Sequence, residues 1–227
     1  MNELMNNNSL FMQTIKTRQL VELLTRQLPE TSLLNKLKIS YRPYICPFDI
    51  LLYHIPKNAS VFDIGCGSGM FLMLVAEFCS PEKLAGVEIH QTLIDNATQL
   101  LSQYQKPVRL STYDGKIIPD WISDYNCITM IDVLHHIPPT EQEAFLAQLH
   151  HKMSKGTTFI FKDIDAEALP WVYFNRMHDL ILSREIGNEW RAQRFLEYAK
   201  TLGFKVLHFS KQRTLVYPHF TVVMTVE

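Results

Sequence analysis

The sequence has no apolar run long enough to cross a membrane. Charged or polar residues interrupt every apolar stretch, and none approaches the ~18 residues of a membrane-spanning helix. The N-terminus also lacks a basic segment followed by a continuous apolar core, the pattern of a secretory signal. We therefore expect no membrane span and a cytoplasmic location.

Paired cysteines and metal-ligating clusters are missing as well. The four cysteines are scattered and none belongs to a C-x-x-C pair: Cys46, Cys66, Cys79 and Cys127. Two of them lie within apolar runs, which indicates small buried hydrophobic residues in a reducing compartment. Nothing has the spacing of a metal-ligand cluster, so we predict no metal.

Charge of one sign is not in excess. The 227 residues include 22 Lys and Arg against 23 Asp and Glu, and the basic residues form no long block. Binding to nucleic acid or to an anionic membrane mainly through electrostatic attraction is therefore disfavoured. A local basic patch is still compatible with this composition. With 47% hydrophobic residues, the chain can bury one substantial core.

Short apolar segments alternate with amphipathic helical segments from residue 59 onwards. This alternation predicts an α/β fold, a Rossmann-like doubly wound sheet covered by helices on both faces. Two apolar segments near the C-terminus, 204–212 and 219–227, predict an antiparallel hairpin that finishes the sheet. We assign residues 59–227 to this domain and residues 1–58 to an N-terminal helical segment and lid.

Glycine is scarce, yet three of the eight glycines fall within five residues. Gly65, Gly67 and Gly69 directly follow the predicted strand 60–64. Glycine is needed where the backbone turns sharply or approaches a ligand closely, and the first strand-to-helix turn of a doubly wound sheet is a ligand site. A nicotinamide dinucleotide turn would carry glycine where Met70 stands, so an NAD site is disfavoured.

Carboxylates stand near the ends of three successive predicted strands. Asp63 precedes the glycine turn, which suits a ligand with a cationic amino group. Glu88 lies 21 residues after Gly67, where a carboxylate can accept hydrogen bonds from both ribose hydroxyls. Asp114 follows the third strand and suits an exocyclic amine, and Ile89 suits an adenine face. Each acid alone is equally well a solvated residue at a loop end, but together they predict a nucleoside site.

The segments VFDIGCGSG, GVEI, STYDG and ITMIDVLHHIP resemble the successive motifs of the class I S-adenosylmethionine-dependent methyltransferases. The resemblance runs from Val61 to the C-terminus and implies a seven-stranded sheet whose last strand is antiparallel. It implies S-adenosyl-L-methionine as the cofactor, with its methyl group near the end of the fourth strand. The cofactor-binding residues that it implies are Asp63, Gly65, Cys66, Gly67, Glu88, Ile89, Asp114 and Asp132.

Two adjacent histidines follow the fourth predicted strand. Methyl transfer from a sulfonium needs a nucleophile at the methyl carbon and, for some acceptors, removal of a proton. Imidazole titrates near working pH, so His135 and His136 are the candidate catalytic bases. The competing interpretation is that one histidine caps the following turn while the other faces solvent.

Two further segments are candidates for contact with substrate. Tyr41, Arg42 and Tyr44 precede the core as a potential lid, in which Arg42 would pair with the cofactor carboxylate; equally, they could fasten the N-terminal helices to the domain. Trp171 and His178 belong to a predicted helix after the fifth strand, the segment that commonly lines the acceptor pocket in the resembled family. An amphipathic helix packed on the sheet edge explains their pattern as well.

The acceptor itself is indicated by a narrower resemblance. YRPYICPFD, FKDID and NRMHDLILSRE are similar to segments of small bacterial methyltransferases of aryl-polyene and fatty-acid-like pathways, which implies an aromatic or lipid-like acceptor, bound in some cases to a carrier protein. Methyltransferases that modify amino groups of nucleic acids have an Asn/Asp-Pro-Pro-aromatic signature after the fourth strand. This sequence has DVLHHIPP there instead, so a nucleic-acid acceptor is disfavoured. A cofactor-binding protein without transfer activity stays an alternative, and the oligomeric state is not indicated.

Overall fold

The computed structural model describes residues 17–27, 44–167, 188–214 and 217–227. Four predicted site residues lie outside the described residues: Tyr41, Arg42, Trp171 and His178. Their roles, and that of the helix predicted around Trp171, stay predictions.

A seven-stranded sheet forms the centre of the described residues. Its strands are β1 (Ser60–Ile64), β2 (Lys83–Glu88), β3 (Val108–Thr112), β4 (Cys127–Ile131), β5 (Thr158–Ile164), β6 (Phe204–Thr214) and β7 (Tyr217–Val226). Their order is β3-β2-β1-β4-β5-β7-β6. The first five strands are parallel, whereas β7 is antiparallel to β5 and to β6. The predicted doubly wound sheet with an antiparallel last strand is therefore confirmed.

Helices accompany the strands in the predicted alternation. They are α1 (Thr17–Gln27), α2 (Phe48–Tyr53), α3 (Met70–Phe78), α4 (Gln91–Leu101), α5 (Gln142–Lys152) and α6 (Ala192–Thr201), with 3-10 turns at Asp120–Asp124 and Leu134–His136. Among the described helices, none combines the length and the apolar character that spanning a membrane would need.

An apolar cluster covers each face of the sheet. Phe62 and Ile64 of β1 pack in one cluster with α5 and α6, while Val61 packs in the other with α2, α3 and α4. All five residues of β1 are buried, because side chains alternate between two covered faces. The ring of Phe48 stacks on that of Phe71 at 5.8 Å, so residues of the N-terminal segment share this core. The domain division at residue 58 stays a prediction.

The strand order reverses between β1 and β4. The chain runs outwards from β1 through β2 to β3, and then returns to place β4 on the other side of β1. In a doubly wound sheet, this reversal opens a crevice beyond the carboxyl ends of the strands. The glycine turn, Glu88 and Asp132 all follow or end strands at this edge.

Candidate active site

The turn after β1 needs glycine for two separate reasons. Gly65, Gly67 and Gly69 have φ angles of 70°, 53° and 78°, in the left-handed region that residues with a Cβ seldom adopt. In addition, a Cβ on Gly65 would lie 2.4 Å from Cγ2 of Val133, whereas one on Gly67 would meet nothing within 4 Å. Gly65 thus lets the turn approach the loop after β4, and the backbone of Gly67 faces open space.

Backbone hydrogen bonds fasten the turn to β2. The N–H groups of Gly65 and Cys66 donate to the Val87 carbonyl at 2.8 and 3.0 Å, and the Gly69 N–H donates to the Cys66 carbonyl at 2.9 Å. The Cys66 thiol points inwards, where a Cβ on Gly86 would lie 2.7 Å from its Sγ, and burial raises the pKa of this thiol. The structure therefore places Cys66 inside the turn.

The Glu88 carboxylate bridges the glycine turn and the end of β2. Its Oε2 accepts a hydrogen bond from the Gly67 N–H at 3.1 Å, and its Oε1 accepts from the N–H groups of Ile89 at 2.8 Å and His90 at 3.3 Å. The side chain is 8% exposed. Since a carboxylate offers about four acceptor positions and these N–H groups occupy three of them, about one position is left for a hydroxyl group of a ligand.

Ile89 and the loop that contains Asp114 lie side by side after β2 and β3. Ile89 is 50% exposed, and a Cβ on Gly115 would lie 3.3 Å from its Cγ2. Oδ1 of Asp114 accepts hydrogen bonds from the N–H groups of Ile117 at 2.7 Å and Lys116 at 2.8 Å, which hold the pKa of Asp114 below its usual value. An exposed apolar side chain and an ionised carboxylate suit a flat ring with an amino group.

Asp63 and Asp132 lie at the ends of β1 and β4, on the other side of the turn. Asp63 is buried, and its Oδ1 accepts a hydrogen bond from Thr129 Oγ1 at 2.6 Å. Asp132 has a φ of 56°, and its Oδ1 lies 2.6 Å from Nζ of Lys162. The structure thus brings the acidic residues predicted from β1, β2 and β4 to one edge of the sheet.

His135 and His136 have different surroundings within the 3-10 turn Leu134–His136. His135 is 3% exposed, and its Nδ1 lies 2.5 Å from Oδ1 of Asp163, which is also buried. His136 is exposed. Because a carboxylate only accepts, Nδ1 of His135 carries the hydrogen of this contact, and in the neutral tautomer of that kind Nε2 bears no hydrogen.

Gln142 of α5 fixes the loop that contains His135. Its Nε2 donates to the carbonyl groups of Leu134 at 3.0 Å and Asn188 at 2.9 Å, and its Oε1 accepts from Nε1 of Trp190. The Asn188 N–H in turn donates to the His135 carbonyl at 2.8 Å. The position of the histidine is therefore set by α5 and by the segment before α6.

Sequence reasoning missed three buried polar residues of this region: Gln142, Lys162 and Asp163. A signal for two of them was present, since Lys162 and Asp163 interrupt the apolar β5 segment TFIFKDI. Charged side chains are seldom fully buried unless they are paired. Such an interruption indicates partners on a neighbouring element.

Tyr44 is the one predicted lid residue that the structure describes. It is 43% exposed, and the carbonyl of the next residue, Ile45, accepts a hydrogen bond from Nε2 of His219 at 2.7 Å. Burial, followed by the charge of Lys162, lowers the pKa of His219 to about 3, so this imidazole is neutral. The hydrogen bond fastens Ile45 to β7, and the lid role of Tyr44 stays a prediction.

We expect Gly65→Ala to destabilise the fold strongly. The left-handed φ and the contact with Val133 each cost about 1–3 kcal/mol, so urea denaturation should show a loss of about 2–6 kcal/mol in the free energy of unfolding. Gly67→Ala is the matched control, because it has the same kind of φ but no close contact, and should lose about 1–2 kcal/mol. Equal losses would contradict the steric role of Val133.

Comparisons with known proteins agree with this geometry. The methyltransferase domain family matches residues 38–209. The chain is 21% identical over 163 residues to a carboxy-S-adenosyl-L-methionine synthase of Chromohalobacter salexigens, covering 71% of this chain and 55% of that protein. It is 27% identical over 86 residues to a ubiquinone biosynthesis O-methyltransferase of Coxiella burnetii, a match that covers 38% of this chain and 36% of that protein. The chain thus matches about half the length of the first of these relatives, and less of the second.

Solved structures share the fold over most of the chain. The magnesium protoporphyrin IX methyltransferase of Synechocystis PCC 6803 with bound SAH has a TM-score of 0.67 at 16% identity, covering 89% of this chain and 92% of that one. A [4+2]-cyclase has a TM-score of 0.64 at 12% identity, and the match covers 83% of this chain and 82% of that one. At such identities the likeness concerns the fold alone. The family match and the motifs go further: the chain belongs to the methyltransferase domain family, and its predicted membership in the class I S-adenosylmethionine-dependent methyltransferases is confirmed.

Proposed function

We propose that this protein transfers the methyl group of S-adenosylmethionine to a small-molecule acceptor of aromatic or lipid-like character. The observation that carries the proposal is the Glu88 carboxylate, held 3.1 Å from the Gly67 N–H where the glycine turn meets the end of β2. Two similar proteins support the acceptor class, since their names refer to ubiquinone biosynthesis and to magnesium protoporphyrin IX. The cytoplasmic location and a carrier-bound acceptor stay predictions.

The residues at this edge fit the proposed cofactor. Open space at Gly67 leaves room for a close approach to the backbone, and Glu88 has acceptor capacity for a ribose hydroxyl. Ile89 offers an exposed apolar surface, and the ionised Asp114 an acceptor for an amino group. Asp63 and Asp132 add negative charge towards the methionine end. When bound there, the cofactor supplies a methyl group on a sulfonium, activated for displacement.

The chain's own contribution is to orient the acceptor and to take its proton. We assign the proton to Nε2 of His135, since Nδ1 is occupied by Asp163 at 2.5 Å. Asp163 holds the ring in one orientation and stabilises the imidazolium that forms, as the acidic residue of a catalytic triad does. Gln142 holds the loop that contains His135 in place, because its Nε2 donates a hydrogen bond to the Leu134 carbonyl.

A second candidate function is binding of S-adenosylmethionine without methyl transfer. The similarity to the [4+2]-cyclase supports this candidate, because that protein has the same fold but is named for a reaction other than methyl transfer. A fold by itself does not determine chemistry. Both candidates require the same cofactor site. Incubation with labelled cofactor and a cell extract, followed by mass spectrometry, distinguishes them, since only a methyltransferase produces a labelled acceptor.

We expect S-adenosylmethionine and its demethylated product to bind in calorimetry, and NAD not to bind. The reason is the turn itself, in which Met70 begins α3 where a dinucleotide site would need glycine. Heat from NAD, with none from S-adenosylmethionine or its product, would overturn the proposal.

A further inference from the structure

Lys162 is a lysine with no exposed surface in the parallel part of the sheet. It lies in β5, opposite Ile131 of β4 and Thr221 of β7, and its exposure is 0%. A buried ammonium is costly unless it is paired and hydrogen-bonded. Its Nζ lies 2.6 Å from Oδ1 of Asp132, whose side chain is 19% exposed. A fully buried cation is thus joined to a carboxylate that reaches the edge of the site.

Lys162 also holds the backbone of Asp132. The Asp132 N–H donates to the Lys162 carbonyl at 2.9 Å, and Asp132 adopts the left-handed φ of 56° that a residue with a Cβ adopts at a cost. The next residue, Val133, closely approaches Gly65. The ammonium of Lys162 and the main-chain carbonyl of the same residue therefore both contact Asp132 beside the glycine turn.

We infer that Lys162 is a positioning residue that compensates the charge of Asp132, and thereby sets how strongly the site prefers a cationic sulfonium ligand over a neutral thioether. The inference rests on the proposed function, in which the methionine end of the cofactor lies near Asp132. An uncompensated carboxylate would attract the sulfonium of S-adenosylmethionine but not the thioether of its product. With the ammonium 2.6 Å away, the two forms of the cofactor bind with more similar affinities.

A merely structural ion pair would behave differently. Its loss would loosen the end of β4 and weaken both ligands together, without changing the ratio of their dissociation constants. That ratio therefore separates charge compensation from support of the fold.

The test is a cycle of Lys162→Met, Asp132→Asn and the double variant, studied by calorimetry at pH 8 with S-adenosylmethionine and S-adenosylhomocysteine. Lys162→Met should raise the ratio of the product's Kd to the cofactor's Kd about tenfold, because it removes the ammonium that lies 2.6 Å from the carboxylate. Asp132→Asn should lower the ratio about tenfold, because the ammonium is then uncompensated. The double variant should return to within about threefold of the wild type.

Ratios within about threefold of the wild type in both single variants would overturn the inference. If Lys162→Met does not fold, the other two proteins decide, because Asp132→Asn must lower the ratio and the double variant must restore it. A wild-type protein that binds neither ligand would contradict the proposed function instead, so the two failures are distinguishable.

Discussion

Replacing His135 with asparagine is expected to slow methyl transfer by about 10²–10⁴-fold and to leave cofactor affinity within about twofold of the wild type. The asparagine amide can still donate to Asp163, the partner of Nδ1 in the native protein, so the buried carboxylate keeps a hydrogen bond. It has no nitrogen that can take the acceptor's proton. The rate is measured as labelled methyl incorporated from the cofactor into the small molecules of a cell extract, and affinity by calorimetry.

His136→Ala is the matched control, because the exposed His136 is adjacent to His135 in the same turn, and it should retain nearly full activity. His135→Ala is a poorer variant, since it leaves the Asp163 carboxylate buried without its imidazole partner, a change that costs about 3–5 kcal/mol of stability. Near wild-type turnover in folded His135→Asn and His136→Ala proteins would remove both histidines as bases, while the family assignment would stand.

The pH profile adds an independent readout of the same role. A protonated imidazole cannot act as a base, so the wild-type rate should fall when acidification protonates the ring. The residual rate of the His135→Asn variant should not decrease in this way when the pH is lowered. A histidine that only supports the fold would give parallel profiles in the two proteins.

The strands and the glycine turn could be predicted because their signals are local. β1 and β4 are buried along their whole length, so each appears in the sequence as a short, mainly apolar run. Gly65 and Gly67 are required by backbone angles within a few residues. Glu88 could be placed because β2 is the next strand along the chain and lies directly beside β1.

The partners of His135 and Asp132 could not be predicted, because they depend on strand order. His135 and Asp163 are 28 residues apart, and Asp132 and Lys162 are 30 apart. They meet because β4 and β5 are neighbours in a register that pairs Ile131 with Lys162. The sequence predicts that such strands exist more firmly than it predicts which residues of two strands lie side by side.

Lys162 and Asp163 also show why two adjacent charges occur in one strand. Successive side chains of a strand point to opposite faces, so the lysine reaches Asp132 while the aspartate reaches His135. β5 therefore supports the end of β4 and the loop after it from both faces of the sheet. In the proposed mechanism one pair orients the cofactor end of the site, and the other orients the base.

Glu88→Ala is expected to weaken S-adenosylmethionine binding at least tenfold in calorimetry. The substitution removes a carboxylate acceptor for a ribose hydroxyl, and a hydrogen bond to a charged group is worth about 1.5–3 kcal/mol. Asp95→Ala removes an exposed carboxylate from the surface of α4 and should leave the affinity unchanged. Glu88→Gln, which keeps two acceptor positions but no charge, should give an intermediate loss.

Loss of affinity in Glu88→Ala has a second potential cause, because the carboxylate also accepts the Gly67 N–H and so steadies the turn. A ligand cycle separates the two causes. In the wild type, S-adenosylhomocysteine should bind more tightly than its 2′-deoxy analogue, since the missing hydroxyl no longer meets Glu88. In Glu88→Ala the two ligands should bind within about twofold of each other, because the partner of the hydroxyl is gone. If the variant still distinguishes the two ligands as well as the wild type does, the carboxylate acts on the turn and the ribose is held by other residues.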